Sequence, residues 1–129
     1  MGTRALVNEA QFIKHLKSIA ESSKYVLSVC TGSALLAKTG LLDNRNATTS
    51  KTAFSWVKSN GIYVKWDKNA RWVVDGKYYS SAGVSVGIDM TLGYVADVHG
   101  LDTAVKISNH IEYDWNRSNI DDKFCHLAE

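Results

Sequence analysis

The sequence has few cysteines and no metal-ligand pattern. Its two cysteines stand in unrelated contexts, Cys30 at the end of an apolar run and Cys125 in a polar tail, which is not the pattern of a disulfide framework. Neither a CxxC pair nor the cysteine–histidine spacing of a zinc site occurs. We therefore expect two reduced thiols, no metal and no cofactor, with a pairing between the two thiols left open.

A strong charge excess and long apolar runs are also missing. The 15 lysines and arginines stand against 13 aspartates and glutamates, a net charge of +2, and the basic residues are scattered. This balance argues against nucleic acid or an anionic membrane surface as a partner. No apolar run approaches the ~20 residues that span a bilayer, and the opening MGTRALVNEA has no apolar signal core. We expect a cytoplasmic protein with no membrane segment.

The length fits a single domain with its own core. The chain has 129 residues, of which 45% are hydrophobic, and no repeat, low-complexity tract or linker interrupts it. Asn8 can cap a first helix over about 9–22, whose apolar residues recur at helical spacing. Further helices are predicted at 32–39, 51–59, 86–98 and 102–116, and strands at 24–29, 62–66, 70–74 and 77–81, with a tight turn at Asp75-Gly76.

This alternation predicts an α/β fold with a mostly parallel sheet. The run at 24–29 has little polar alternation, as expected of a strand covered on both faces, and such a strand is usually central. A central strand needs hydrogen-bonded neighbours on both sides. Since only a helix precedes this strand, we expect a sheet that is short of strands on its N-terminal side.

The segment Ser28-Val29-Cys30-Thr31-Gly32 combines the end of a strand with the start of a helix. A sharp turn there places Cys30 at the carboxyl end of the sheet, where α/β proteins bind ligands. The small residues in Ser28-x-Cys30-x-Gly32 suit a strained turn like the serine elbow of hydrolases. The helix start would favour a thiolate and offer backbone donors to an oxyanion. A small buried core cysteine remains the alternative.

Longer stretches resemble a known family. The segments SVCTGSALLAKTGLLDNRNATT, ARWVVDGKYYSSAGVSVGIDMTLGYVADVHG and IEYDWN are similar to the ThiJ/PfpI superfamily of class I glutamine amidotransferase relatives, in its isonitrile hydratase-like branch. The resemblance implies a flavodoxin-like three-layer sandwich and a homodimer. It also implies that Cys30 is the nucleophile, with Thr31 giving a backbone N–H and a hydroxyl to the substrate. Gly32 and Gly2 would lie at the oxyanion position.

The sequence departs from the family pattern in three places. Where many relatives have a histidine after two threonines, this chain has Ser50 and then Lys51, so a cysteine–histidine dyad is not expected there. The family's first third holds an acidic partner of the cysteine and a Pro-Gly-Gly turn, and this sequence starts just after that turn. We therefore expect an N-terminally truncated domain that corresponds to the family's C-terminal two thirds. The usual proline-containing tail is replaced, and the chain has no proline.

Two functions stay open at this point. The first is a cysteine-dependent enzyme that acts on a small carbon–nitrogen electrophile. It would be either a lyase of the isonitrile hydratase type or a hydrolase of the amidase or protease type. We expect the truncation to impair its activity. The second is a non-catalytic redox or ligand sensor, or a scaffold. Ser50 and Asp89 are candidates for residues that lie behind the nucleophile and tune it, although Asp89 also suits the favourable start of a helix. The partners would be a small molecule and either a second copy or the missing N-terminal segment.

Overall fold

A computed structural model describes residues 2–129, and its elements alternate between helices and short strands. None of the helices in this range is both long and apolar enough to cross a bilayer. The helices are α1 (Gly2–Leu6), α2 (Ala10–Ser22), α3 (Gly32–Lys38), α4 (Phe54–Ser59), α5 (Val86–His99) and α6 (Leu101–His110), followed by a 3₁₀ turn at Cys125–Leu127. The strands are β1 (Val26–Val29), β2 (Asn46–Ala47), β3 (Lys65–Trp66), β4 (Trp72–Asp75) and β5 (Tyr78–Ser81).

The strands form one three-stranded and one two-stranded sheet. The larger sheet has the order β1-β5-β4, with β1 parallel and β4 antiparallel to β5, and β2 pairs with β3 in parallel. Every residue of β5 is buried, because β5 lies between two strands and under helices on both sides. The expectation of an α/β fold with a mostly parallel sheet is confirmed.

Helices cover both faces of the larger sheet. Val26 and Tyr78 contribute to a core that also holds Ala20 of α2 and Leu36 of α3. The next residue in each strand points to the opposite face, since side chains alternate along a strand. There Leu27 and Tyr79 pack with Trp72, Met90 of α5 and Tyr94 of α5. The sheet between two helical layers is the predicted three-layer sandwich.

Strand β1 lies at the edge of its sheet. Among residues 2–129 it pairs with β5 alone, in the register Val26 to Tyr78 through Val29 to Ser81. In a parallel ladder alternate residues bond to one neighbour, so the backbone groups of Leu27 and Val29 face the other side. Val29 is 39% exposed. The sheet is thus short of a neighbour beside β1, as the sequence predicts.

Several predicted boundaries are wrong by a few residues. Asn8 does not cap α2, because Glu9 holds the N-cap position and no side chain bonds there. Ser85 holds the N-cap position of α5, but its hydroxyl does not cap that helix. The last helix ends at His110 instead of residue 116. Helix α4 starts at Phe54 instead of residue 51, because the preceding residues form the turns that bury Lys51.

The hairpin between β4 and β5 lies one residue later than predicted. Asp75 pairs with Tyr78, so Gly76 and Lys77 form the two-residue turn. Gly76 has φ +60°, the left-handed conformation that a glycine adopts without steric cost. The side chain of Asp75 is held by β2, because the backbone N–H of Asn46 donates to its Oδ2 at 2.7 Å.

Candidate functional site

Cys30 adopts a backbone conformation that is unfavourable for its residue type. Its φ is +55°, in the left-handed region, and it lies between the end of β1 and the first residue of α3. For a residue with a Cβ this conformation costs about 1–2 kcal/mol, and such strain is characteristic of functional sites. The predicted sharp turn at the end of the strand is therefore present, with the cysteine at its tip.

Four hydrogen bonds hold the cysteine in this strained conformation. Its N–H lies within hydrogen-bonding distance of two carbonyl oxygens, those of Ser81 at 3.2 Å and Ala82 at 3.0 Å. Its carbonyl oxygen accepts from the hydroxyls of Ser33 at 3.1 Å and Thr49 at 2.8 Å. Because every backbone polar group of Cys30 is bonded, the surrounding fold fixes the residue and leaves only its side chain free to point elsewhere.

The residues that follow the cysteine supply backbone N–H donors at the start of α3. Thr31 and Gly32 begin the first turn of α3, where N–H groups have no acceptor inside the helix. A Cβ built on Gly32 would meet no atom within 4 Å, and the same holds for Gly83 across the turn. The backbone is therefore open on the Cβ side of both glycines.

The hydroxyl of Thr31 has a partner in the first helix. Thr3 Oγ1 lies 3.0 Å from Thr31 Oγ1, and either atom can donate. Gly2, which the sequence placed at the oxyanion position, is the residue before Thr3 and is exposed. The structure therefore brings the start of α1 to the elbow. Nothing in the sequence pattern pointed to Thr3, because its contact joins residues distant in the chain.

Ser50 lies close to the elbow but makes only a local contact. It is buried at 8% exposure, and its hydroxyl lies 3.2 Å from that of Thr52. The residue before it, Thr49, makes the hydrogen bond to the Cys30 carbonyl. Thr49 thus supports the backbone of Cys30 from the segment in which the resemblance described above would place a histidine. The four histidines of the chain are all exposed.

Asp89 contacts the C-terminal part of the chain. It is buried in the first turn of α5 and forms an ion pair with Arg71. Its Oδ1 accepts from the N–H of Asn116 at 3.1 Å, and its carbonyl oxygen accepts from Trp115 Nε1, also at 3.1 Å. Burial, and then a hydrogen bond to Asp89, raise the pKa of Tyr113. The carboxylate of Asp89 therefore anchors the segment after α6. A role of Asp89 in tuning Cys30 stays a prediction.

A buried ammonium group follows Ser50. Lys51 Nζ donates to Thr48 Oγ1 at 2.7 Å and to the Ala70 carbonyl at 2.8 Å, and it lies 3.4 Å from Asp122 Oδ2. The side chains of Lys51 and Asp122 are only 3% and 4% exposed. Burial lowers the pKa of Lys51, and the Asp122 carboxylate opposes part of that shift. Sequence reasoning missed this pair because its two residues are far apart in the chain.

These features define a class of protein. A three-layer α/β sandwich carries a cysteine in a left-handed elbow between a strand and the first turn of a helix. The chain belongs to the DJ-1/PfpI family, whose model matches residues 1–97.

Two curated relatives share this sequence similarity. An isonitrile hydratase of Pseudomonas putida is 32% identical over 112 residues, which are 87% of this chain and 48% of the hydratase. The HTH-type transcriptional regulator CdhR of Pseudomonas aeruginosa is 29% identical over 96 residues, which are 74% of this chain and 28% of the regulator. The chain spans about half or less of the length of these relatives.

Solved structures show the same fold. A THiJ/PfpI family protein from Pseudomonas syringae superposes with a TM-score of 0.78 at 30% identity, covering 89% of this chain and 46% of that one. Drosophila melanogaster DJ-1beta gives a TM-score of 0.71 at 16% identity, covering 88% of this chain and 60% of that one. These neighbours agree with the flavodoxin-like architecture described above.

Proposed function

We propose that this chain carries the nucleophile of a cysteine-dependent hydratase or hydrolase that acts on a small carbon–nitrogen electrophile. The observation that carries the proposal is the strained backbone of Cys30, held at φ +55° by bonds to both its N–H and its carbonyl. A fold that maintains such strain at a thiol, beside free helical amides, has the geometry of a nucleophile elbow. The similarity to an isonitrile hydratase makes an isonitrile the first substrate to test.

The proposed reaction adds one water molecule to the isonitrile carbon. The thiolate of Cys30 attacks that carbon and the carbon takes up a proton, which gives a thioimidate with a new C–S bond. Water then adds to the same carbon, the C–S bond breaks, and the thiolate leaves with its electron pair. After proton transfer to nitrogen the product is an N-substituted formamide. The amides of Thr31 and Gly32 would donate to the oxygen-bearing intermediate.

The proposed chemistry also needs a group that moves protons. All four histidines are exposed, and Lys51, which follows Ser50, is engaged by Asp122 and Ala70. A general acid or base is worth typically 10²–10⁴-fold in rate. We therefore propose that turnover by residues 1–129 alone is weak, and that the part of the hydratase that this chain does not match supplies the missing group.

The experiment is a comparison of Cys30→Ser with the unchanged chain. Formamide formation from a small alkyl isonitrile is followed by NMR, with and without the part of the Pseudomonas putida hydratase that this chain does not match, added in trans or fused. We expect the addition to raise the rate by about 10²-fold or more and Cys30→Ser to abolish it. Cys125→Ser is the matched control and should keep the rate. Turnover that survives Cys30→Ser would refute the mechanism.

A second candidate is a sensor in which a ligand binds at Cys30, or the thiol is oxidised, without turnover. The observation that favours it is the similarity to the transcriptional regulator CdhR over 74% of this chain. Under this alternative neither the chain nor its fusion produces formamide. Mass spectrometry after mild peroxide treatment should then show reversible oxidation at Cys30 in preference to Cys125.

We further propose that β1 gains a neighbouring strand in the assembled protein. Among residues 2–129 the backbone groups of Leu27 and Val29 face an edge without a strand. A row of free N–H and C=O groups is a template for pairing with another chain. The partner would be a second copy or an additional N-terminal segment of the same fold.

A further inference from the structure

The segment 116–127, called the strap below, runs back over the body of the domain after α6 ends. It lies outside the part of the chain that the family model matches, which ends at residue 97. The strap has little regular structure apart from one 3₁₀ turn. It is nevertheless attached to the domain at two separate points.

The first attachment is made by Arg71, directly before β4. Its backbone N–H donates to the Asn119 carbonyl at 2.7 Å, and its Nη1 donates to the Ser118 carbonyl at 2.6 Å. The other arm of the guanidinium pairs with Asp89 in α5. One arginine therefore ties the start of the strap to both the sheet and a helix.

The second attachment is the buried pair of Lys51 and Asp122. The Asp122 N–H also donates to the Asn69 carbonyl at 2.8 Å, so both the backbone and the side chain of this residue are engaged. A buried charge is tolerated only with such partners. Asp122 consequently fixes the middle of the strap against the turn that follows Ser50.

Between these elements lies a cavity of about 240 Å³. The body of the domain contributes Ser50, Gly83 and Val86 to its wall, and the strap contributes Phe124 and Leu127. Phe124 is 61% exposed and Leu127 is 42% exposed. The strap thus presents apolar side chains to solvent at the cavity, although Asp122 beside them is buried.

Two residues of the cavity wall directly follow residues that bond the backbone of Cys30. Ser50 follows Thr49, whose hydroxyl bonds the Cys30 carbonyl, and Gly83 follows Ala82, whose carbonyl accepts from the Cys30 N–H. Each wall is therefore one residue away from a direct hydrogen-bond partner of the cysteine. Cys30 itself does not line the cavity, so the connection runs through the two segments that hold its backbone.

We propose that the strap is the specificity-determining wall of this cavity and that the cavity accepts a compact apolar group of the molecule that reacts at Cys30. This proposal rests on the proposed function, in which a small molecule reacts at Cys30. The volume is below the ~300–1,000 Å³ of cavities for drug-sized ligands, which sets a limit of a small alkyl or aryl group. Since the one carboxylate of the wall, Asp122, is occupied by Lys51, the cavity offers no free charge to a polar group.

The test uses thiol reagents of different size, so it needs no turnover. In a Cys125→Ser background, Cys30 is alkylated with iodoacetamide and, separately, with N-cyclohexylmaleimide, and the ratio of the two rates is measured. Phe124→Ala removes an exposed wall residue, and Asp122→Asn removes the charge that pairs with Lys51 and so weakens the second attachment of the strap. We expect the relative rate of the bulky reagent to rise about tenfold in each variant, the range that one pocket contact controls.

Asp121→Asn is the matched control. Asp121 is exposed and has φ +60°, which asparagine tolerates, so this exchange changes the charge without releasing the strap. Its reagent ratio should equal that of the parent chain. If neither Phe124→Ala nor Asp122→Asn changes the ratio, the strap is not a wall of the site and the proposal is overturned. If the ratio of the two alkylation rates changes but neither the chain nor its fusion produces formamide, the proposed function is refuted and the role of the strap as a wall stands.

Discussion

Replacing Lys51 by methionine tests how much the buried pair contributes to folding. The substitution leaves the Asp122 carboxylate, 4% exposed, with the Phe124 N–H at 2.8 Å as its remaining hydrogen-bond donor among residues 2–129. It also takes a donor away from the Ala70 carbonyl. An isolated buried charge is expected to be neutralised instead of being kept.

The magnitude follows from the cost of that neutralisation. An ordinary aspartate has a pKa of about 3.9, and one pKa unit corresponds to about 1.4 kcal/mol, so adding the proton at pH 7 costs about 4 kcal/mol. This agrees with the roughly 3–5 kcal/mol lost when one partner of a buried pair is removed. We expect Lys51→Met to lower the free energy of unfolding by about 3–4 kcal/mol.

The double variant Lys51→Met/Asp122→Leu removes both charges at once. Apolar side chains of similar volume often replace a buried pair without loss. Asp122→Leu also gives up the hydrogen bond from the Phe124 N–H, which costs about 1–3 kcal/mol. We therefore expect the double variant to be more stable than Lys51→Met by about 1–2 kcal/mol.

Stability should also depend on pH with a defined sign. Burial lowers the pKa of Lys51 below 10.5, so the native chain releases this proton at a pH where the unfolded chain still holds it. The unfolded state then binds more protons, and stability rises with pH in the window below 10.5. Lys51→Met lacks this gain, so its deficit relative to the parent chain should be larger at alkaline pH than at pH 7.

Urea unfolding followed by tryptophan fluorescence at two pH values measures these differences. Lys58→Met, an exposed lysine of α4, is the control and should change stability by no more than about 0.5 kcal/mol. A loss below about 1 kcal/mol in Lys51→Met, or a double variant less stable than the single one, would refute the reasoning.

Two further outcomes are expected. Burial, and then the bond from its hydroxyl to Asp97 Oδ2 at 2.7 Å, raise the pKa of Tyr79 above its ordinary value, so its contribution is complete below pH 10 and is lost as the pH rises further. Tyr79→Phe should cost about 1 kcal/mol at pH 7 and reduce the loss of stability above pH 10, whereas exposed Tyr63→Phe should change neither. Light scattering at micromolar concentration should show a dimer or larger assembly, because β1 has an open edge; a well-folded monomer would contradict that pairing.

The elbow could be predicted from the sequence because its determinants are local. A β-prone run, a cysteine flanked by small residues and a helix-forming segment follow one another in 25–40, and Gly40 with φ +84° directly follows the C-cap of that helix. Neighbouring residues favour a strand, a turn and a helix in this order through sterics and short-range hydrogen bonds. The alternation of strands and helices that defines the α/β class is visible for the same reason.

What the sequence could not show are the contacts that join distant parts of the chain. Thr3 reaches Thr31, Thr49 reaches the Cys30 carbonyl, and Lys51 reaches Asp122 only once the sheet and helices are assembled. None of these pairs has a spacing or composition that marks it, because a threonine or lysine in a turn is equally common at the surface. The residues that hold the cysteine and shape the space beside it were therefore decided by tertiary packing, whereas the place of the cysteine was decided by the local sequence.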